Sequence, residues 1–254
     1  MNTFKLPVAL SLLLVVAGLL AAQPSPTAVP KSDAPKSDAP KKDASAGTGK
    51  SLEPHQSGGE SESVVQVANL VYAGTKSSKC FSDHFLVEAE KVSSISTSRR
   101  FHAVKLASDE LFEFPMVIMT GEGEFTLPDA ERQNLRKYLE RGGFLLASAG
   151  CSSPDWDRSF RAEMAKIFPE HNLADLAMDH PVFHTVTDIK DIQTKHGKPK
   201  PLEGISLRGR LCVLYSNDGL NDTAHSQGCC CCGGNEIYNC VQINVNILAY
   251  ALTY

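Results

Sequence analysis

The chain has 254 residues, a formal net charge of −4 and 42% hydrophobic residues, which is the composition of an ordinary globular protein. Its 25 Lys and Arg residues against 29 Asp and Glu residues give no positive field that would attract a nucleic-acid backbone. The composition therefore excludes nucleic acid as an expected partner, and the length suits one medium-sized folded domain.

The beginning of the chain has the layout of a secretory signal peptide. Lys5 precedes an apolar stretch over residues 6–22, which ends in the small residues Ala21 and Ala22. The alternative is an uncleaved anchor, since this stretch reaches the lower end of the roughly 17–25 residues that a membrane span needs. In both cases the sequence predicts an exported protein of the periplasm or cell envelope, which would contact the membrane only through a retained signal.

Residues 23–62 consist largely of Pro, Ala, Ser, Lys, Asp and Gly, and the pattern that starts at Pro30 repeats at Pro35. A segment of this composition cannot bury enough apolar surface to fold. The sequence therefore predicts three parts: a signal peptide at 1–22, a disordered linker at 23–62 and a single α/β domain at 63–254.

Strand and helix patterns alternate along the predicted domain. Apolar runs predict strands at 64–71, 101–106, 115–119, 144–147 and 211–215, and amphipathic segments predict helices at 83–92, from Thr126, from Ser153 to Phe168, and at 236–254. Residues 171–209 are expected to be rich in loops. Buried strands that alternate with helices predict a doubly wound, mostly parallel sheet flanked by helices.

Three helix starts carry capping signals. Thr126 is expected to cap the second helix, with Asp129 closing a capping box, and Ser153 to cap the third with Pro154 in its first turn. Asn235 or Glu236 is expected to cap the last helix.

Several short phrases together resemble the bacterial family named domain of unknown function 4159. They occupy positions 70–74, 111–115, 119–121, 135–139, 141–145 and 179–181, and the resemblance extends over 63–254. It implies an architecture similar to class I glutamine amidotransferases, which is a flavodoxin-like sandwich. It implies no established activity, because a fold does not fix a function.

Ligands of open α/β sheets bind beyond the carboxyl ends of the strands. Gly121, Glu122, Gly123 and Glu124 follow the third predicted strand there. Two glycines let the backbone approach a ligand, and two carboxylates can bind a cation or move protons. The alternative is a tight turn that carries solvated acids.

Cys151 follows the fourth predicted strand and directly precedes a helix, whose dipole favours a thiolate. In amidotransferases the nucleophile occupies a strand-to-helix elbow of this kind, so the resemblance makes Cys151 the candidate nucleophile. His180 is the candidate base, with His184 as the alternative, although two histidines in a polar loop are commonly hydrogen-bonded only. Farther along the same helix, Arg158 and Arg161 fit either an anionic ligand or a solvated helix face.

The sequence also has four adjacent cysteines, Cys229, Cys230, Cys231 and Cys232, with His225 shortly before them. Exposed thiols of an exported protein become oxidised, so these cysteines are expected to be disulfide-bonded, metal-bound or redox-active. A transition metal such as zinc would need further ligands. The candidates are Cys80, His84, Cys151 and His225.

Two functional classes follow from these residues. The first is a noncatalytic envelope module that binds an unidentified small molecule, metal or envelope protein, with the cysteine cluster structural or metal-binding. The second is an exported cysteine-dependent hydrolase or thiol redox enzyme that acts through Cys151 or the cluster.

Overall fold

The computed structural model describes residues 64–77, 80–226, 229 and 234–254. The predicted signal peptide, the predicted linker and the cysteines at 230–232 lie outside the described residues.

The described residues form a mixed α/β fold around one sheet of seven strands. The strands are β1 (Val65–Val71), β2 (Thr97–Lys105), β3 (Met116–Gly121), β4 (Phe144–Ala149), β5 (Ala174–Asp175), β6 (Glu203–Leu207) and β7 (Arg210–Ser216). Their order across the sheet is β2-β1-β3-β4-β7-β6-β5. The first five are parallel, and β6 and β5 continue the sheet in antiparallel pairing. The prediction of a mostly parallel α/β sheet is confirmed.

Four α-helices of the described residues cover both faces of this sheet. They are α1 (His84–Val92), α2 (Asp129–Glu140), α3 (Pro154–Ile167) and α4 (Cys240–Thr253). One face packs against α2 and α3 and the other against α1 and α4. Because both faces are covered, β3 and β4 are buried almost throughout, which explains their unbroken apolar runs.

Two predicted helix caps are wrong. Helix α2 has Pro128 rather than Thr126 at its N-cap position, and no side chain caps it, because the proline ring has no hydrogen-bond acceptor. Asp129 is therefore the first residue of the helix and pairs with Arg132 instead of closing a capping box. The cap of α4 is Asn239, because the chain at Glu236 and Ile237 still makes β-bridges. The cap predicted at Ser153 is confirmed, since its Oγ accepts the Trp156 amide at 3.3 Å.

The region expected to be loop-rich contains β5 and β6. Strand β6 has two adjacent buried residues, Gly204 and Ile205, instead of the alternation that predicts a strand, and a glycine is typical of a turn. The Cβ of any other residue at Gly204 would lie 2.3 Å from the Leu211 side chain, so the glycine is a packing requirement within the sheet.

No helix among the described residues has the length and apolar character that a membrane crossing requires.

Candidate functional site

The candidate site lies at the carboxyl edge of the sheet, where parallel β1, β3, β4 and β7 all end. Four segments meet there: the turn after β1, the 121–126 loop after β3, the 150–153 turn between β4 and α3, and the chain after β7. An edge of this kind is where doubly wound sheets bind ligands.

Cys151 occupies a tight elbow between β4 and α3. Cys151 and Ser152 both have left-handed backbones, with φ of 50° and 51°. Such conformations are costly for residues with a Cβ and persist only where the surroundings hold them. The surroundings here include Gly234, at which a Cβ would lie 2.2 Å from the Cys151 carbonyl carbon. The backbone of the segment after the cysteine cluster therefore packs directly on the elbow.

Hydrogen bonds fasten that segment to the elbow. The Ser152 hydroxyl donates to the Asn235 carbonyl at 3.0 Å and accepts the Asn235 amide at 3.0 Å. The chain at Gly234 and Asn235 therefore lies directly against the Cys151 elbow.

Glu122 of the predicted ligand loop lies beside the predicted nucleophile. Its Oε1 is 3.6 Å from Cys151 Sγ, and its backbone carbonyl accepts the Ser153 hydroxyl. Gly150 permits this approach, because a Cβ there would lie 2.9 Å from Glu122 Cγ. The sequence predicted both residues at this edge but gave no signal that they form a pair.

Gly121 serves packing rather than ligand approach. A Cβ at this position would lie 2.4 Å from the Tyr72 hydroxyl and 2.7 Å from Trp156 Nε1. Those two side chains form a buried chain of hydrogen bonds, from Trp156 Nε1 to Tyr72 OH at 2.8 Å and from Tyr72 OH to the Thr120 carbonyl at 3.0 Å. Burial raises the pKa of Tyr72 to about 12, so its hydroxyl stays a donor.

Glu124 faces a separate cleft of about 530 Å³ at the ends of β1 and β3. Its lining residues are Ala73, Lys76, Glu124, Phe125, Thr126, Arg158, Ser159, Ala162, Glu163 and Lys166. Arg158 Nη2 lies 3.4 Å from Glu124 Oε1, and both side chains are exposed, at 63% and 74%. Ion pairs this exposed contribute little to stability, so ligand groups can replace them.

The two arginines of α3 have different roles. Arg158 lines the cleft, whereas Arg161 pairs with Asp157 at 2.8 Å and with Glu203 on β6. The hydrogen bonds that Arg161 donates to Glu203 are the main cause that raises the pKa of Arg161, and burial opposes them. Arg161 therefore ties α3 to the sheet.

A disulfide between Cys80 and Cys229, at a sequence separation of 149 residues, joins two segments of this edge. Of the three states predicted for Cys229, the structure shows the disulfide. The sulfur atoms of Cys80 and Cys229 are therefore not available as thiolate ligands of a metal. The predictions for Cys230, Cys231 and Cys232 fall outside the described residues.

His225 and His84 lie next to this disulfide. Their rings stack with centroids 3.9 Å apart and an interplanar angle of 13°, and His225 Nδ1 lies 2.8 Å from Asp222 Oδ1. Two stacked, near-parallel rings do not aim their nitrogen lone pairs at a common point. Over the described ranges, no three His, Cys, Asp or Glu side chains are arranged to hold a metal ion.

Glu236 anchors the loops that cover this edge. Its carboxylate accepts the Thr223 amide at 2.6 Å and the Thr223 hydroxyl at 2.8 Å, and it pairs with Lys195. Burial opposes the charge, but the hydrogen bonds from Lys195 and Thr223 outweigh it and hold the pKa of Glu236 below its ordinary range. No sequence pattern marked this residue beyond its proposed capping role.

The two candidate bases lie away from Cys151. The ring of His180 packs 5.6 Å from Tyr250, whose hydroxyl accepts the Leu211 amide near the start of β7. His180 is therefore at the amino edge of the sheet, and burial lowers its pKa although Asp179 opposes this. His184 Nδ1 lies 2.6 Å from Asp188 and its Nε2 lies 2.7 Å from the Met178 carbonyl. The structure does not bring either histidine to the elbow.

Comparison with known proteins gives one family. The model of the family described as Domain of unknown function (DUF4159) matches residues 67–252, which include nearly all the helix and strand residues described above. No curated protein matches the chain. The matched range covers most of the sequence, and the chain therefore belongs to the DUF4159 family.

Proposed function

We propose that this protein is an exported module of the cell envelope that binds a small zwitterionic molecule, such as an amino acid or a short peptide. The observation that carries the proposal is the cleft between the ends of β1 and β3, with Lys76 and Arg158 on its lining together with Glu124. Its volume of about 530 Å³ is in the range of small-molecule sites.

The position of the cleft supports a binding role. The chain runs from β1 outward to β2 and then back to β3 on the other side of β1, so the order of the strands reverses between β1 and β3. Crevices at such reversals are the usual ligand sites of doubly wound sheets. The parallel order β2-β1-β3-β4-β7 is also the flavodoxin-like order, which fits the amidotransferase-like architecture that we propose for the family.

The charges of the cleft favour a ligand with both signs. Among the described residues, the Lys76 ammonium has no ion-pair partner and can take a ligand carboxylate. Within the described part of the chain, Glu124 has only its weak pair with Arg158, so it can take a ligand ammonium group. Lys166 remains held by buried Glu163 at 2.7 Å.

Export is part of the same proposal. Disulfides persist in oxidising compartments, so the Cys80–Cys229 bond supports a location outside the cytoplasm, as does the apolar stretch at 6–22. In this proposal the disulfide holds the covering segment at the carboxyl edge, and the cysteine cluster is structural.

A binding screen tests the proposal. The purified chain is titrated calorimetrically with a panel of amino acids and dipeptides, and Lys76→Gln and Glu124→Gln are compared with Lys105→Gln, an exposed residue at the end of β2. We expect at least one panel member to bind, with affinity reduced about tenfold or more in both cleft variants and unchanged in the control. Binding that all three variants retain would contradict the proposal.

The second candidate is an exported thiol enzyme, and the elbow geometry favours it specifically. Cys151 is partly exposed in a left-handed turn at the end of a buried strand, with the Glu122 carboxylate 3.6 Å from its sulfur. In an acyl transfer, Glu122 would take the thiol proton, the sulfur would bond to the acyl carbon as the leaving group departs with a proton, and water would then hydrolyse the thioester.

Alkylation distinguishes the two candidates. Burial is the main cause that raises the pKa of Cys212 and Cys240 to about 12, so these thiols are expected to resist iodoacetamide. Labelling of Cys151 at mildly acidic pH, lost in Glu122→Gln, would support the enzyme. A Cys151 that resists labelling at pH 8 would count against it.

Mass spectrometry tests the structural role of the cluster. The unreduced chain is weighed under native and then denaturing conditions. Equal masses, both below the fully reduced mass by about two hydrogens for each disulfide, are expected for a structural cluster. An excess equal to a metal ion in the native spectrum would show a coordination site instead.

A further inference from the structure

A second cavity, of about 520 Å³, lies at the opposite, amino edge of the sheet. It is formed by the end of α2, the chain after α3 and the hairpin between β6 and β7. Its lining residues are Leu139, Glu140, Arg141, Gly142, Glu170, His171, Leu207, Arg208, Arg210 and Cys212. The proposed ligand cleft shares none of these residues.

Three arginines of this cavity have no carboxylate partner among the described residues. Arg210 donates to the backbone carbonyls of Gly143 at 3.3 Å and Ala251 at 3.2 Å. The Arg141 guanidinium lies over the Phe112 ring, 5.0 Å from its centroid. Carbonyls and ring faces position these guanidinium groups without cancelling their charge.

Both carboxylates that line the cavity form ion pairs with an arginine outside the cavity. Glu140 pairs with Arg136 at 2.8 Å, and Glu170 also pairs with Arg136, which does not line the cavity. One arginine therefore holds both acids, and the charge of the three lining arginines is left for another anion.

The backbone conformation of Arg208 independently indicates that its side chain has a role at this cavity. Arg208 and Gly209 form the hairpin turn with φ of 53° and 81°, so both residues are left-handed. A two-residue turn of this kind favours Asn, Asp or Gly at its first position. An arginine held in a disfavoured conformation beside a cavity points to a role for its side chain.

We propose that the amino-edge cavity binds a small polyanion, meaning a phosphate-bearing or polycarboxylate molecule with two or more negative charges. Guanidinium groups suit such ligands because their parallel N–H donors match two oxygens of a carboxylate or phosphate at once. Arg141 and Arg208 supply these contacts. Arg210, held by its hydrogen bonds to two backbone carbonyls, forms part of the cavity wall. The site is separate from the carboxyl-edge cleft and stands whether or not the proposed function there is correct.

Calorimetric titration of the full chain with pyrophosphate and with citrate, at constant ionic strength, tests the site. We expect saturable binding of at least one probe, weakened tenfold or more by Arg208→Gly and by Arg141→Gln. Arg208→Gly relieves the left-handed conformation, so it should keep or raise the melting temperature, and a loss of binding in this variant cannot be attributed to misfolding. The preferred probe shows whether phosphate or carboxylate is the recognised group.

Arg100→Gln is the matched control, because it removes an exposed guanidinium group of β2 that lines neither this cavity nor the carboxyl-edge cleft. It should leave probe binding unchanged. The proposal is overturned if neither probe binds saturably, if Arg208→Gly binds as the unaltered chain does, or if Arg100→Gln alone weakens binding.

Discussion

The carboxyl and amino edges of the sheet differ in whether their charged side chains have partners of opposite charge or hydrogen-bond donors. At the carboxyl edge, buried acids have close donors: Glu236 accepts from Thr223 and pairs with Lys195, and Glu131 accepts the Ala73 amide at 2.8 Å. At the amino edge, Arg141 and Arg210 meet a ring face and backbone carbonyls. The buried acids of the carboxyl edge are therefore satisfied within the protein, whereas the arginines of the amino edge keep positive charge available to a ligand.

The two edges also differ in how the backbone is constrained. Next to Cys151 the left-handed turn is packed under Gly234 and crossed by hydrogen bonds to Asn235, so its geometry is held from several sides. The left-handed residue of the amino edge, Arg208, is exposed in a hairpin turn. Substitutions at the carboxyl edge should therefore cost more stability than those at the amino edge.

Removal of the disulfide should give the largest effect. The double variant Cys80→Ser, Cys229→Ser releases a loop of 149 positions, and the chain-entropy model then predicts a loss of about 3–5 kcal/mol. Chemical denaturation of the unreduced proteins measures the difference. A reductant should destabilise the unaltered chain more than the variant, and equal stability of the two unreduced proteins would show that the disulfide does not hold this edge.

Gly121→Ala should have the next largest effect, about 2–3 kcal/mol, because the new methyl group overlaps Tyr72 and Trp156. Trp156 is the single tryptophan of the chain, so its fluorescence reports the disturbed hydrogen bond directly. Gly123→Ala is the matched control, since the nearest atom to its new Cβ is Lys76 Nζ at 3.9 Å. Similar losses in both variants would refute the packing role of Gly121.

Glu236→Gln should cost about 1–2 kcal/mol at neutral pH, because an amide replaces a carboxylate that accepts three hydrogen bonds. The folded-state pKa of Glu236 is lowered, so its contribution is full above its ordinary value of 4.5 and disappears as the pH falls through the folded-state pKa. The stability difference from the unaltered chain should therefore shrink on acidification.

Urea denaturation between pH 7 and pH 3 measures this difference, with exposed Glu113→Gln as the control that should show little at either pH. A difference that stays constant across the range would contradict the assigned role of the Glu236 charge.

Arg208→Asn should have the smallest effect and the opposite sign, a gain of about 0.4–1 kcal/mol, because asparagine tolerates the left-handed turn better than arginine. Thermal unfolding measures it, and Arg99 gives a comparison as another left-handed arginine, whose Nε pairs with Glu90 at 2.6 Å. Replacement of Arg99 by Asn should gain less, since that pair is lost. A marked destabilisation by Arg208→Asn would contradict the contrast between the edges.

The parallel core was predictable because buried strands such as β3 and β4 carry unbroken apolar runs and Ser153 with Pro154 starts a helix in the usual way. The cap at Thr126 failed because local sequence cannot show that Pro128 remains extended. Strand β6 was missed because its burial depends on β7, which follows it across the hairpin.

The sequence predicted which strand ends carry the residues of the candidate site, but not which of those residues contact each other. The ends of β3 and β4 placed Glu122 and Cys151 at one edge, whereas the contact between them depends on the close approach at Gly150. His180 was assigned as a base from residue type alone, and its position is set by packing against Tyr250 at the other edge. Long-range packing of this kind leaves no periodic signal in the sequence.

The most direct test of the proposed function maps ligand contacts on the isotope-labelled chain by backbone amide chemical shifts, with the tightest-binding amino acid or dipeptide of the panel. We expect the perturbed amides to cluster around Lys76, Glu124 and Arg158, at the ends of β1 and β3 and on α3. Perturbations centred instead on Arg141 and Arg208, or an absence of saturable shifts with every panel member, would contradict it.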